Sequence, residues 1–207
     1  MRIAVTGASG FIGRHVLNEL AGHAIESVAV ILPSVDRNSV PPCADVVSMD
    51  ILDPPADAFA LMGHPDALIH LAWSGLPNYR SLHHFERELP AHYRFLKSLV
   101  ESGLSNLLVV GTCFEYGMQS GSLSEDMESR PSNPYGFAKD ALRRELEHLR
   151  AVLPFALVWP RLFYLYGEGQ SKSSLYPQLV EAVNRGEAAF DMSGGEQLRD
   201  YLPVEEV

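Results

Sequence analysis

Apolar and polar positions along the chain follow two rhythms. Short apolar runs occur at residues 3–5 (IAV), 27–32 (SVAVIL), 46–47 (VV), 67–72 (ALIHLA), 104–110 (LSNLLVV) and 155–159 (FALVW). Runs this short and this apolar predict strands buried on both faces. Between them, apolar residues recur at helical spacing. Phe11, Ile12, Val16, Leu17 and Leu20 predict a first helix. A short helix is expected at 54–62, a long one at 82–102 entered or interrupted near Pro90, and another at 134–152 capped by Asn133. Pro41-Pro42 breaks a polar loop at 33–42, and 117–133 is a long polar loop. This alternation predicts an α/β architecture, a Rossmann-type doubly wound parallel sheet with helices on both faces. Ligands in such sheets sit at the carboxyl ends of the strands, which here carry Gly7, Ser34, Trp73, Thr112 and Leu162. From Tyr166 onward glycine and polar residues are frequent. A helix at 175–185 and short strands near Phe190 and Leu198 predict a small second lobe, so the expected division is 1–165 and 166–207.

The opening stretch, MRIAVTGASGFIG, joins a buried strand to a helix through glycines at 7, 10 and 13. Strand, glycine turn and helix form the context of a dinucleotide phosphate site. Gly7 can take backbone angles a side chain forbids. Gly10 lets the main chain approach a pyrophosphate, and Gly13 lets the helix pack on the strand. The N–H groups at the helix start, near Phe11 and Ile12, then face the anion. The alternative is a glycine-rich turn without a ligand; the position on the first strand, with this spacing, favours the ligand.

Composition narrows the function classes. The chain of 207 residues is long enough for one sizeable core, and its 46% apolar and 20% charged content is that of a globular protein. A formal net charge of −10 argues against nucleic-acid binding, which needs a basic face. An anionic substrate must then be held by local arginines and helix ends. Cys43 and Cys113 suggest no disulfide framework, and the eight histidines show no metal-ligand spacing. No apolar run approaches the ~20 residues of a membrane span, and the start does not read as a signal peptide, so the expected location is cytoplasmic.

Tyr135 and Lys139, four apart in YGFAK, fall on one helical face. An ammonium beside a phenol favours the phenolate, so the Tyr135 pKa is expected to fall and the phenol to exchange a proton with a sugar hydroxyl or carbonyl. Thr112, at the end of the fifth strand, is placed to hydrogen-bond the reacting oxygen alongside it. The competing readings are a surface tyrosine with a solvated lysine, and a threonine bonded to its own backbone.

The segments TGASGFIG, HLAW, GTCFEYG, YGFAK, PRLFYLYG and RDYLPVEEV occur in this order and span essentially the whole chain. They resemble the extended short-chain dehydrogenase/reductases, the NAD-dependent epimerase/dehydratase group acting on nucleotide sugars. The resemblance implies a bound NAD or NADP held by Gly7, Gly10, Phe11, Ile12, Gly13, Leu71 and Ala72. Asp50 and Ile51 would contact adenine, and Lys139 would hold the nicotinamide ribose. Tyr135 becomes the proton donor and acceptor, with Thr112 on the substrate oxygen. Trp73, Tyr164 and Arg199 would contact the substrate, Arg199 its diphosphate. NAD-preferring members place an Asp at the end of the second strand; here Asp36 comes late and Arg37 is placed to meet a 2′-phosphate, which leaves NADP open.

Three departures qualify the resemblance. Cys113 and Phe114 stand where 4,6-dehydratases carry Asp-Glu, which argues against a dehydratase. Glu88 stands near a helix asparagine of the family, and Tyr164 replaces a pyrophosphate-site asparagine. The expected activity is a 4-keto reductase or dehydrogenase of a nucleotide-linked deoxyhexose. A 4-epimerase is the alternative, and an inactive cofactor-binding module the second. The resemblance also implies a homodimer, with Leu96, Leu99, Val100, Leu142, Leu146 and Leu149 as the candidate face unless they are buried on the chain's own sheet. Family members run on beyond RDYLPVEEV to complete the substrate lobe, so cofactor binding is expected here with weak turnover.

Overall fold

In the computed structural model, which describes Met1–Val207, the apolar runs become six strands of one sheet. These are β1 (Arg2–Thr6), β2 (Glu26–Ile31), β3 (Asp45–Ser48), β4 (Ala67–His70), β5 (Asn106–Val109) and β7 (Ala156–Val158). Their order is β3-β2-β1-β4-β5-β7, and every neighbouring pair is parallel. A short pair, β6 (Gly111–Thr112) with β8 (Arg161–Leu162), continues beyond the ends of β5 and β7. Thr6 is level with both Val30 and His70. The chain leaves β1 toward β2 on one side and later returns as β4 on the other, so the strand order reverses beside Gly7, where such sheets open a crevice.

Side chains alternate across β1 and build a core on each face. Ile3 and Val5 pack with Ala29, Ile31, Leu17 and Leu20, the last two from α1 (Phe11–Gly22). Ala4 packs on the other face with Val28, Val30 and Leu68 against α3 (Leu89–Glu101) and α4 (Pro134–Arg150). Leu96, Leu99, Val100, Leu142, Leu146 and Leu149 all belong to this second core and are at most 8% exposed. The candidate dimer face is therefore spent inside the chain, as its apolar stripe must be to cover the sheet.

The long helix expected at 82–102 is two elements: a π-helical turn, His84–Glu88, followed by α3, whose first turn holds Pro90. Proline is tolerated there because the first N–H groups of a helix have no intrahelical partner. The helix expected at 54–62 shrinks to α2 (Ala58–Leu61).

The chain divides into two compact units, Met1–Leu162 and Phe163–Val207. In the second, β9 (Tyr164–Tyr166) pairs in parallel with β10 (Tyr201–Pro203), and α5 spans Leu175–Asn184. No strand forms at Phe190 or Leu198. Leu198 is fully exposed, and β10 begins at Tyr201, where a partner strand exists. An isolated short apolar run has nothing to pair with and gains nothing from extending.

Candidate active site

The glycine turn is built as its spacing predicts. Gly7 has φ +68° and rests on the backbone of Leu71 and Ala72 across the crevice. Gly10 caps α1 with no side-chain hydrogen bond, and its N–H donates to the Gly7 carbonyl at 2.9 Å. Gly10 is exposed, and Phe11 and Ile12 are half-buried. A helix start without a capping side chain, over a tight glycine turn, fits a dinucleotide diphosphate. A Cβ on Gly13 would lie 2.3 Å from the Gly7 carbonyl oxygen and 2.8 Å from the Ala8 Cα, both main chain. Gly13→Ala is accordingly expected to cost about 1–3 kcal/mol in denaturant unfolding.

The other expected cofactor residues lie at the strand ends, with their side chains partly committed. The Asp50 carboxylate accepts the Leu52 N–H at 2.9 Å, and Ile51 is buried in the second core. Arg37 is exposed and donates to the Val46 carbonyl at 2.9 Å.

Thr112, Tyr135 and Lys139 come together and are buried, at 6%, 8% and 3% exposure. Asn133 caps α4 by accepting the Gly136 N–H at 2.9 Å, and Pro134 opens it. Gly136 lies so close to Phe114 that a Cβ would be 2.6 Å from its carbonyl oxygen. This contact presses the first turn of α4 onto the 3-10 turn Cys113–Tyr116 and brings Tyr135 to Thr112. The Thr112 hydroxyl accepts the Phe114 N–H at 3.3 Å and acts on the Tyr135 phenol to lower its pKa. Of the two roles foreseen for Thr112, the local cap is the one present, accepting the Phe114 N–H.

Below this trio sits a carboxylate the sequence did not single out. Glu115 is fully buried and accepts the Thr112 N–H at 2.9 Å, the Trp159 indole N–H at 3.1 Å and the Arg161 Nε at 2.7 Å. One side chain thus ties β6, β8 and the 3-10 turn. The signal lay in Thr112 with Glu115 three positions on, a capping-box spacing.

The electrostatics correct the expected phenol. Burial pushes the Tyr135 pKa up, and the Thr112 hydroxyl only partly opposes this. The Lys139 ammonium does not lower it. It lies 4.5 Å from the Trp73 ring centroid and 5.5 Å from that of Trp159, a cation over two π faces. Burial brings the Lys139 pKa down to about 8, and Glu115 partly holds it up. Desolvation therefore outweighs the ion–dipole argument for both groups.

Trp73 is held from two further directions. Its indole N–H donates to His84 Nδ1 at 3.0 Å, and its ring stacks on His92, with centroids 4.5 Å apart. Tyr135 is ringed by Trp73, Tyr79, His84 and Phe114. His70 and His92 are both buried. Burial lowers the pKa of each, with the Lys139 charge acting in the same direction. Burial also works against the Glu88 carboxylate, but hydrogen bonds from His92 and Ser74 outweigh it and bring that group down to about 2. Histidines held neutral in the fold let the unfolded chain take up protons that the native chain refuses as pH falls through about 6.5. Glu88 contributes its stability above its ordinary carboxylate value, so it does not vary between pH 7 and 5. The thermal unfolding midpoint is expected to fall between those pH values, with each histidine costing at most about 1.4 kcal/mol per pH unit.

In the second unit, the Arg199 guanidinium lies 4.2 Å over the Tyr164 ring and bonds Gln197. No group of three or more His, Cys, Asp or Glu is placed to hold a metal ion, and no helix is long and apolar enough to cross a membrane.

A profile of the NAD dependent epimerase/dehydratase family matches residues 3–207. The chain is 30% identical over 209 residues to a dTDP-6-deoxy-L-talose 4-dehydrogenase (NAD(+)) of Aggregatibacter actinomycetemcomitans, covering 100% of this chain and 77% of that one. It is 26% identical over 211 residues to a GDP-6-deoxy-D-talose 4-dehydrogenase of the same organism, covering 99% of this chain and 66% of that protein. Among solved structures, MoeE5 in complex with UDP-glucuronic acid and NAD superposes with a TM-score of 0.82 at 30% identity, over 100% of this chain and 69% of that one.

Proposed function

Since the chain belongs to the NAD dependent epimerase/dehydratase family, we propose that it is an NAD-dependent oxidoreductase of a nucleotide-linked deoxyhexose, interconverting a 4-keto group and a 4-hydroxyl. The observation that carries this reading is the shared burial of Thr112, Tyr135 and Lys139, with the Tyr135 ring and the Lys139 ammonium both packed against Trp73. Two relatives named as 4-dehydrogenases of 6-deoxytaloses support the class of substrate. Gly7, Gly10 and Gly13, with the N–H groups near Phe11 and Ile12, would hold the cofactor diphosphate, and Lys139 the nicotinamide ribose. When bound, the nicotinamide supplies or accepts the hydride at the sugar carbon.

The chain's own residues then have separable tasks. Tyr135, held protonated by burial, gives its proton to the carbonyl oxygen as that oxygen gains charge. Thr112 orients the same oxygen through its hydroxyl. The Lys139 ammonium keeps a positive charge near the developing anion below pH about 8. Cys113 and Phe114 supply neither an acid nor a base for water elimination.

The test is to follow NADH consumption with nucleotide-linked 4-keto-6-deoxyhexoses. Stoichiometric oxidation of NADH supports the reductase. Interconversion of 4-epimers without net cofactor change would replace it with an epimerase, and cofactor binding without either reaction would leave only a binding module.

A further inference from the structure

A line of buried polar groups beside the proposed site takes no part in the chemistry above. The Thr6 hydroxyl lies 2.8 Å from His70 Nδ1. His70 Nε2 lies 2.7 Å from His92 Nδ1, and His92 Nε2 lies 3.2 Å from Glu88 Oε2. Ser74 closes the line, its hydroxyl 2.8 Å from Glu88 Oε1 and its N–H 3.1 Å from Oε2. At the far end the Ala72 N–H approaches the Thr6 hydroxyl at 3.4 Å. His70, His92, Glu88 and Thr6 are each no more than 1% exposed.

With both imidazoles kept neutral by burial, the donors and acceptors along this line have one consistent assignment. An ionised Glu88 can only accept, so His92 must carry its proton on Nε2. His92 Nδ1 then accepts from His70 Nε2, and His70 Nδ1 accepts from the Thr6 hydroxyl. Every donor points toward Glu88, and both imidazoles are neutral. The line also fastens three consecutive residues after β4: Ala72 to Thr6, Ser74 to Glu88, and between them Trp73, stacked on His92. Trp73 is the ring against which the Lys139 ammonium rests.

We infer that Glu88 and His92 are positioning residues: through this one-way line of hydrogen bonds they hold the Trp73 indole against the Lys139 ammonium. The inference rests on the reading of Lys139 as an active amine. The π-helical turn is what makes the line reachable, because it carries Glu88 into the core just ahead of α3 and His92 one turn further on. The charged and titratable groups facing Glu88 and His92 are His84 from the π-helical turn, His70 from β4 and Lys139 from α4, and Lys139 in turn faces Glu115 from the 3-10 turn. A second cation at His92 would repel Lys139; burial and the Lys139 charge keep His92 neutral against the pull of Glu88, and the carboxylate fixes Nε2 as the nitrogen that carries its proton.

The experiment uses the whole chain, with imidazole nitrogens read by long-range 15N–1H NMR and the Lys139 proton by the 13C shift of labelled lysine. Both histidines are expected to show neutral Nε2–H forms across the neutral range; an Nδ1–H form or an imidazolium at either one overturns the inference. Trp73→Leu keeps the site apolar but removes the π face, and the Lys139 midpoint is expected to fall by about 0.5–1 pH unit. Glu88→Leu removes the acceptor and is expected to lower the midpoint in the same direction and release the His92 tautomer. Glu88→Gln should restore both, because its amide oxygen can face His92 and the Ser74 N–H while its nitrogen turns to the Ser74 hydroxyl. If Glu88→Leu does not fold, Trp73→Leu and Glu88→Gln decide. An unmoved Lys139 midpoint in Trp73→Leu, or a reversed tautomer in Glu88→Gln, defeats the positioning role. Failure of the functional reading looks different: Lys139→Met would keep wild-type turnover while the histidine tautomers stayed fixed.

Discussion

Tyr135→Phe is expected to lower turnover of a nucleotide-linked 4-keto-sugar by about 10²–10⁴-fold, the usual worth of a positioned general acid. The substitution removes one oxygen and keeps the ring among Trp73, Tyr79, His84 and Phe114, so the fold should be preserved. NAD is expected to raise the thermal midpoint of variant and parent alike, because the glycine turn is untouched. Steady-state kinetics beside a thermal-shift titration separates the two outcomes. Loss of NAD stabilisation together with turnover would point to a damaged site, and retained turnover would remove Tyr135 from the chemistry.

Glu115→Leu should give the largest loss of stability. Its carboxylate has no exposure and satisfies the Thr112 N–H, the Trp159 indole and Arg161. Removing it leaves the Arg161 guanidinium, whose side chain is only 10% exposed, without its anion. Breaking a buried pair from one side typically costs about 3–5 kcal/mol. Urea unfolding measures this directly. The accompanying sign is chemical: the Lys139 pKa, partly held up by Glu115, should fall further below about 8. A surface role for Glu115 would leave both quantities unchanged.

Some parts of this molecule were legible in its sequence because a local pattern had one physical solution. Apolar runs flanked by helical periodicity can be buried only as a covered parallel sheet, and the glycine spacing at 7, 10 and 13 can be satisfied only by a turn on which α1 packs closely. Asn133 and Pro134 mark in the sequence where α4 begins, whereas the close approach of Gly136 to Phe114, which brings Tyr135 to Thr112, is visible only in the structure. The phenol's protonation was misread because an i,i+4 spacing reports proximity of positions, not burial. Lys139 turns to Trp73, and removal of water dominates the charge state of both groups. Glu115, His92 and the buried partners of Glu88 were hidden for a related reason. A polar residue inside an amphipathic stretch looks solvated until its partners, distant in sequence, are known. Arg161 is 46 positions from Glu115, and His70 is 22 from His92.

The dry aromatic ring around Tyr135 has a kinetic corollary. An acid that stays loaded at neutrality serves the direction that consumes a proton, while the opposite direction must first empty it. The overall equilibrium is untouched by the protein, yet the two directions should reach their best rates at well-separated acidities, with sugar oxidation favoured by alkali.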